Sequence, residues 1–323
     1  MKREVSVVVC AHNSRVDFLT RVLEALKKQT LDAKRWELTV VDNGSRTPIA
    51  EVLKGGTVEG LRGEIELGEN AKLVRNEVPE EEASLVGARK RGMRESQGEV
   101  LVFVDDDNVL APDYLEQVAR ISKEWPRLGA WGGRIVLEYE DRSKKLPAEI
   151  EGILCQRELT EPAWSNVENH HASTPWGAGL CVRRAVAERY LQRLEEEPDR
   201  AGLDPVGREM RFGGDTDLVY TGLRMGFGKG VFPELSLTHL IPPRRCDPAF
   251  LERAFEAHGY SSVYHGWLDT GVPVGPRNDW KFYLTESLRW FTYSPWERLR
   301  RKAWRRGMRR AVCELKGKRP RKL

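Results

Sequence analysis

Apolar positions fall along this chain in two alternating rhythms, short β-branched runs and longer stretches with one apolar face at helical spacing. Val5-Ser6-Val7-Val8-Val9 is a run of strand length. Ser14-x-x-Asp17 follows with capping-box spacing, and Leu19, Val22, Leu23 and Leu26 then recur at helical intervals, so the pattern predicts strand, loop, helix. Leu38-Thr39-Val40-Val41 arrives one βαβ unit later and ends in the turn-forming cluster Asp42-Asn43-Gly44-Ser45. A weaker strand near Leu73-Val74, a helix from Ser84 to Ser96 stopped by Gly98, and a strand from Val100 to Val104 continue the alternation. Ala111-Pro112-Asp113 opens another helix with Leu115, Val118, Ala119 and Ile121 on one face, and Trp131 to Leu137 reads as a strand. Such a series predicts an α/β domain with a mostly parallel sheet and flanking helices. Ligands of open α/β sheets bind at the carboxyl ends of the strands, and the polar loops gather there.

The second half is less regular. Residues 141 to 175 hold no sustained period and read as one long irregular insertion, with Trp164, His170 and His171 on a loop surface. Trp176-Gly177-Ala178-Gly179-Leu180 is a glycine-rich turn before a helix from Arg184 to Glu196. Phe212-Gly213-Gly214-Asp215-Thr216-Asp217 opens a helix that Gly226 closes, and short strands around Val231-Phe232 and from Leu235 to His239 follow. Beyond Pro248 the pattern is helical and aromatic. The expected division is 1–245 as one α/β domain and 246–323 as a helical extension with a basic amphipathic tail.

Composition narrows the class. With 40% hydrophobic and 32% charged residues over 323 positions, the chain has the make-up of a soluble globular protein able to bury a full core. No run is long and apolar enough for a membrane-spanning helix, and Met1-Lys2-Arg3-Glu4-Val5 leads into a strand rather than a signal peptide, so the expected location is cytoplasmic. The five cysteines form no Cys-x-x-Cys pair, which predicts reduced, mostly buried thiols rather than zinc or redox chemistry. Charge is divided sharply: residues 297–323 carry thirteen Lys or Arg against two Glu, so a chain total of +4 leaves the rest at about −7. In that tail Trp296, Leu299, Ala303, Trp304, Met308, Ala311, Val312 and Leu315 recur at helical spacing among arginines. Two placements fit: peripheral contact with an anionic membrane at the inner face, or packing on the domain with a solvated basic face.

The densest chemistry is Asp105-Asp106-Asp107, where a buried strand surfaces. Carboxylates this crowded repel one another unless a cation or donors hold them, and Mg²⁺ or Mn²⁺ commonly binds through one or two carboxylates plus substrate phosphates. A solvated acidic turn is the plain alternative. Asp215 and Asp217 either cap a helix or belong to a site, and Gly213-Gly214 favours a site because glycine lets backbone approach a ligand closely. His239 is either a metal ligand or a satisfied core histidine.

Taken in order, Val5 to Val9, Val41-Asp42-Asn43-Gly44-Ser45, Asp105-Asp106-Asp107-Asn108, the turn at 177 to 179 and Gly214-Asp215-x-Asp217 resemble glycosyltransferase family 2, from residue 5 to about 245. The resemblance implies a GT-A fold, Rossmann-like, that binds a nucleotide-diphosphate-sugar over residues 1–125 and a saccharide or lipid-linked saccharide acceptor over 126–245, with inversion at the anomeric carbon. It assigns the nucleoside to Ala11, His12, Asp42 and Asn43, and a basic donor contact to Arg89. Asp105 and Asp107 become the outer residues of an Asp-x-Asp motif, with Asp107 the first choice for direct metal contact and Asp106 on the sugar or ribose. His239 would complete the metal or diphosphate site, and Asp215 would be the base that takes the acceptor proton. Three departures stand out. Gly214 replaces a common Glu, which removes an acidic contact or opens space. Cys10-Ala11-His12 replaces Pro-Thr-Tyr, and Asn43 replaces a second Asp. The expected product class is polysaccharide or surface glycan. A sugar-phosphate nucleotidyltransferase would show a glycine-rich basic loop after the first strand, and Cys10-Ala11-His12-Asn13-Ser14 lacks one. A nucleic-acid-binding role for the tail is disfavoured by the acidic remainder and the lack of a reader motif, so no nucleic-acid partner is expected.

Overall fold

The protein is described here by a computed structural model covering residues 3–54, 67–79, 82–206 and 209–322, without the side chain of Tyr283. Met1 and Lys2, on which the reading of the chain's start partly rests, lie outside the described residues. In chain order the main elements are β1 (Val5–Ala11), α1 (Val16–Lys27), β2 (Trp36–Asn43), α2 (Ile49–Leu53), β3 (Ala71–Asn76), α3 (Leu85–Glu95), β4 (Val100–Asp105), β5 (Asn108–Leu110) and α4 (Tyr114–Glu124). They continue with β6 (Leu128–Tyr139), α5 (Ala148–Glu151), β7 (Ala163–Ser165), β8 (Leu180–Arg183), α6 (Arg184–Glu196), α7 (Gly214–Arg224), β9 (Gly228–Ile241), α8 (Pro248–Thr270), α9 (Trp280–Trp290) and α10 (Pro295–Leu315). The chain packs as two compact units, one of Met1–Glu138, Cys155–Gln192 and Asp215–Ile241, the other of Tyr139–Leu154, Arg193–Gly214 and Pro242–Leu323.

In the first unit the strands form one sheet in the order β3-β2-β1-β4-β8-β6-β9-β5, with β7 on β9. Pairing is parallel from β3 through β4 and antiparallel where β8 meets β4 and β6 and where β9 meets β5 and β7. The parallel half is the part whose β-branched runs were legible, because strands buried on both faces read as unbroken apolar stretches. Every residue of β1 is buried, and Leu19, Val22, Leu23 and Leu26 of α1 and Leu115, Val118, Ala119 and Ile121 of α4 join the same core. A fully buried Leu or Val contributes roughly 1.5–3 kcal/mol, so these two helical faces are what clamp α1 and α4 to the sheet.

Three sequence expectations need correction. Leu180, taken as the end of a turn that led directly to a helix, opens a strand, Leu180–Arg183, inserted between β4 and β6. Its four residues are too few for a period to emerge. The two short strands around Pro233 are one strand of 14 residues, β9. Residues 141–175 are not a single insertion: Tyr139–Leu154 belong to the second unit, Cys155 onward to the first, and α5 and β7 lie within them. Trp164 and His171 are exposed there, as a loop reading requires.

The second unit is helical. Leu203, Tyr260, Val263, Tyr264, Trp267 and Leu268 form a core with Ala311 and Leu315 of α10. Glycine makes the α8 to α10 contact possible, since a methyl group on Gly307 would stand 1.9 Å from the Glu256 carbonyl oxygen and one on Gly259 2.1 Å from that of Trp304. The apolar side of α10 is packed on α8, with arginines such as Arg306 bridging to Glu252 and Glu256. An apolar stripe is exposed instead on α9: Trp280 is 69%, Leu284 55%, Leu288 71% and, just past its end, Phe291 84% exposed. Among the described residues no helix is long and apolar enough to cross a membrane. None of the five cysteines is in a disulfide, and Cys10, Cys181 and Cys246 are buried.

Candidate active site

Parallel register fixes which loops meet. Cys10 lies opposite Asp105 and Ala11 opposite Asp42, so the ends of β1, β2 and β4 are level at one sheet edge. His12 Nδ1 is 2.8 Å from the Asn43 carbonyl oxygen, and because a carbonyl only accepts, that nitrogen carries the proton. His12 Nε2 is then the acceptor for Asn13 Nδ2 at 3.0 Å. The Asn13 amide donates to Ser45 Oγ at 3.0 Å, and the Arg46 amide donates back to Asn13 Oδ1 at 2.9 Å. The two loops are thus stitched together before any ligand arrives.

Asp42 and Asn43 spend their side chains on this scaffold. Asp42 accepts from the amides of Ser45 at 3.0 Å and Ile49 at 3.1 Å and pairs with Arg75, so its carboxylate holds the turn that follows β2. Asn43 donates to the Ser84 carbonyl oxygen at 2.9 Å and accepts from Asn76 at 3.0 Å. Ala11 is buried within β1. An adjoining cleft of about 680 Å³ is lined by residues to which the sequence reading gave no nucleoside role, among them Asn13, Ser14, Ser45, Arg46, Thr47 and Glu51.

Ser14 does not cap a helix. Helix α1 starts at Val16 without a side-chain cap, and the Ser14 hydroxyl donates to Asp106 Oδ2. A carboxylate within a triplet needs donors more than a helix end does, and that competition decided the serine's place. Asp107 is buried; its Oδ1 accepts from Asn108 Nδ2 at 2.8 Å and its Oδ2 lies 3.5 Å from His239 Nε2. The contact follows from strand register, since β5 and β9 pair Asn108 with His239. Asp105, half-buried, ends β4 just before this pair.

Two ligands about 2.1 Å from one octahedral ion stand about 3 Å apart, so the 3.5 Å between Asp107 and His239 needs a small closure for both to reach one divalent cation, Mn²⁺ more readily than Mg²⁺ because one donor is an imidazole nitrogen. Asn108 Oδ1, fully buried beside them, accepts no hydrogen bond among the described residues. No group of three or more His, Cys, Asp or Glu side chains with ligand geometry occurs among the described residues, so an ion here would draw its other ligands from water and substrate oxygens, as magnesium habitually does.

Asp215 sits in the first turn of α7, half-buried, with Oδ2 accepting the Gly177 amide at 2.8 Å and Oδ1 accepting the Thr216 amide at 2.8 Å. Arg89 reaches the same point: a methyl group on Gly177 would stand 3.0 Å from Arg89 Nη2 and 3.3 Å from Asp215 Oδ2. Arg89 is buried on α3 with its guanidinium 5.8 Å from the Phe103 ring of β4. Because Phe103 pairs with Leu180, the Gly177 turn leaves the sheet at the edge where the aspartate triplet does. The structure therefore brings Arg89, Gly177 and Asp215 together, at the sheet edge that carries Asp105, Asp106 and Asp107.

One member of this neighbourhood was missed by the sequence reading. Arg157 stacks its guanidinium 3.7 Å from the Trp176 ring centre, and the field of Asp215 acts on it. Its stretch lacks any period, so only the tertiary contact identifies it. The Gly214 departure also has a spatial answer within the second unit. A methyl group on Gly214 would fall 2.2 Å from Asp204 Oδ1, so the position is not open space: the buried carboxylate of Asp204 fills it.

Residues 6–191 match the family model "Glycosyl transferase family 2", more than half of the chain. The chain is 26% identical over 146 residues to EpsH of Bacillus subtilis (strain 168), named as a glycosyltransferase, a match covering 45% of this chain and 38% of that one. Among solved structures it resembles S. aureus TarS 1–349 in complex with UDP-GlcNAc, with 16% identity, a TM-score of 0.51, and coverage of 80% of this chain and 66% of that one. A second crystal structure of S. aureus TarS 1–349 aligns over 97% of this chain and 83% of its own at 14% identity and a TM-score of 0.48. This chain thus spans less than two thirds of EpsH and of the TarS chain solved with UDP-GlcNAc, and the likeness to that TarS structure is one of fold, GT-A.

Proposed function

This chain belongs to glycosyl transferase family 2, and we propose that it transfers a sugar from a nucleotide-diphosphate donor to a hydroxyl of a saccharide acceptor, with inversion. The observation that carries the reading is the Asp215 carboxylate, oriented by two backbone amides beside Arg89 at the sheet edge that also bears the aspartate triplet. Each Asp215 oxygen accepts one amide and keeps a second lone pair, so the carboxylate can take the proton of an attacking hydroxyl without moving. A poor nucleophile such as a sugar hydroxyl needs that help at neutral pH.

On the donor side, residues 1–125 supply the loops. His12 with its proton fixed on Nδ1, the Asp42 turn and Asn43 shape the nucleoside end, and Ser14, Ser45 and Arg46 offer polar groups to it. Asp106, held by Ser14, is placed for the sugar or ribose, and Arg89 offers its guanidinium near the transferring group. Asp107 and His239, with Asp105 alongside, are the residues that would hold Mg²⁺ or Mn²⁺. Such an ion supplies neutralisation of the charge that grows on the departing diphosphate. Because TarS was solved with UDP-GlcNAc, uridine diphosphate sugars are the first donors to test. The deciding experiment is a thermal-shift screen of UDP, GDP, dTDP and CMP compounds with and without Mn²⁺, followed by sugar-release assays on wild type and Asp215→Asn. Absence of stabilisation by every nucleotide would remove the reading.

Peripheral contact with an anionic membrane, and with it a lipid-linked acceptor in surface-glycan assembly, rests on α9 rather than α10. Trp280, Leu284, Leu288 and Phe291 are exposed on one face of α9, while its opposite face, with Phe282 and Trp290, lines a cleft of about 360 Å³ with Arg300, Lys302 and Arg305 of α10. An exposed apolar face on a helix packed against a basic one is a composition that anionic membranes attract.

A further inference from the structure

Arg157 carries a charge that the protein half-buries over the Trp176 ring and pairs with no carboxylate among the described residues. Its guanidinium makes no hydrogen bond among the described residues, and Nη1 is shielded from solvent. The adjacent carboxylate, Glu158, is turned to Arg134 at 2.7 Å. Burial pushes the Arg157 guanidinium down to about 10, against which the Cys155 and Asp215 charges act, so it remains a cation at neutral pH. Buried polar groups are otherwise satisfied almost everywhere in folded proteins, and a desolvated cation without a partner costs stability.

The placement is rigid as well as costly. The Arg157 backbone exchanges both hydrogen bonds with Ile135 of β6, each 3.0 Å, and the Trp176 ring covers one face of the guanidinium. Trp176 immediately precedes Gly177, whose amide orients Asp215. A fixed, planar fork of donors is the arrangement proteins use to recognise an oxyanion through paired hydrogen bonds. The carboxylate whose field reaches Arg157 is that of Asp215, which ties it to the side where the attacking hydroxyl would lie.

We infer that Arg157 is a specificity residue that receives an oxyanion of the acceptor, so that the hydroxyl attacked through Asp215 belongs to a molecule carrying a phosphate or carboxylate close by. The inference rests on the reading of Asp215 as the base. Neutral saccharides leave the guanidinium unpaired and are disfavoured by that desolvation.

The test uses the full chain and simple probes: glycerol 3-phosphate and methyl glucuronide, their neutral counterparts glycerol and methyl glucoside, and UDP. Calorimetry and thermal shift are compared for wild type, Arg157→Met, Arg157→Lys and Asp215→Asn. The expected result is that at least one anionic probe binds wild type while the neutral probes do not, and the probe that binds distinguishes phosphate from carboxylate. Arg157→Met should weaken that binding by at least about tenfold, Arg157→Lys by less, and UDP affinity should be unchanged in both. Without ligand, Arg157→Met should melt at or above the wild-type temperature, because it keeps the stem against Trp176 and removes an unpaired charge. The inference is overturned by anion binding that survives in Arg157→Met, by equal binding of neutral and anionic probes, by loss of UDP affinity, which would assign the cation to the donor, or by a lowered melting temperature, which would make it structural. Asp215→Asn should bind the anion as wild type does, so turnover retained in that variant would sink the base assignment, and with it the acceptor role of Arg157, while leaving its anion binding measured by the probes.

Discussion

Asp215 and Gly177 are joined by a hydrogen bond of 2.8 Å from the glycine amide to the carboxylate, and the glycine leaves just enough room for Arg89 on the same side. The pair ties the first turn of α7 to the turn before β8, two segments 38 residues apart in the chain. Asp215→Asn should lower turnover by about 10²–10⁴, the usual span for a general base, while nucleotide binding stays intact. A rate assay beside nucleotide calorimetry checks it, and near-normal turnover in the variant would rule out the assigned role.

Gly177→Ala tests the same relationship without touching a charge. The added methyl group meets Arg89 Nη2 at 3.0 Å and Asp215 Oδ2 at 3.3 Å, so both tips must give way. Since displacement of catalytic groups by an ångström can cost on the order of 100-fold, the variant should lose at least about tenfold in turnover. The melting temperature should hardly change, because only side-chain ends are displaced.

Asp107 and His239 make a second pair with a separable outcome. If they hold a cation together with substrate diphosphate, Mn²⁺ should stabilise the protein more in the presence of UDP than alone. Loss of a ligand should cost no less than loss of an outer-sphere partner, so His239→Ala should raise the Mn²⁺ concentration needed by at least about tenfold. Titration of melting temperature with Mn²⁺ at fixed UDP measures this. A variant that responds as wild type does would return His239 to the core.

How much of this was legible before folding depends on distance along the chain. The parallel half announced itself, since Val5 to Val9, Leu38 to Val41 and Val100 to Val104 are buried on both faces, and Asp42 and Asp105 directly follow the second and third of these runs. The α1 and α4 faces were equally clear from helical spacing. What escaped was set by contacts between distant segments. Ser14 has the spacing of a helix cap yet serves Asp106, 92 residues on. Leu180–Arg183 is strand because β4 and β6 stand on either side of it, and Arg157 earns its interest from Trp176 and Asp215. Gly214 looked like a deletion of chemistry, and Asp204 occupies the space from a segment no local rule connects to it.

Glu4 supplies a test of stability with pH. Arg35 holds it in a two-pronged pair, at 2.6 and 3.0 Å, and Lys123 adds a third contact at 3.0 Å. The Arg35 hydrogen bond is the main reason its carboxyl falls from an ordinary 4.5 to about 2. A carboxyl lowered on folding stabilises the protein above its unfolded value, and that contribution drains away as pH falls from about 4.5 towards 2. The partners are partly exposed, so solvent screening limits the effect to about 1 kcal/mol or less. Glu4→Gln should therefore melt slightly below wild type at pH 7, and the two curves should converge through that acid window. A constant gap down to pH 2 would show that the charge is not what Glu4 contributes.

The exposed stripe on α9 gives the most direct test of membrane contact. Deleting the basic tail would be a poor probe, because Ala311 and Leu315 belong to the core of the second unit and their removal would unpack α8. Leu284 and Leu288, by contrast, are 55% and 71% exposed and one helical turn apart, so charges there should leave the fold intact. Each cation near an anionic surface contributes about 1 kcal/mol, and burying apolar side chains adds to it. Wild type should bind vesicles containing phosphatidylserine and release them as salt rises, while neutral phosphatidylcholine vesicles are bound weakly. Leu284→Asp combined with Leu288→Asp should reduce binding to the anionic vesicles by at least about tenfold, with an unchanged melting temperature. Binding that persists in the double variant would move any membrane contact off α9, and a wild type indifferent to phosphatidylserine would leave the acceptor without a lipid anchor in this reading.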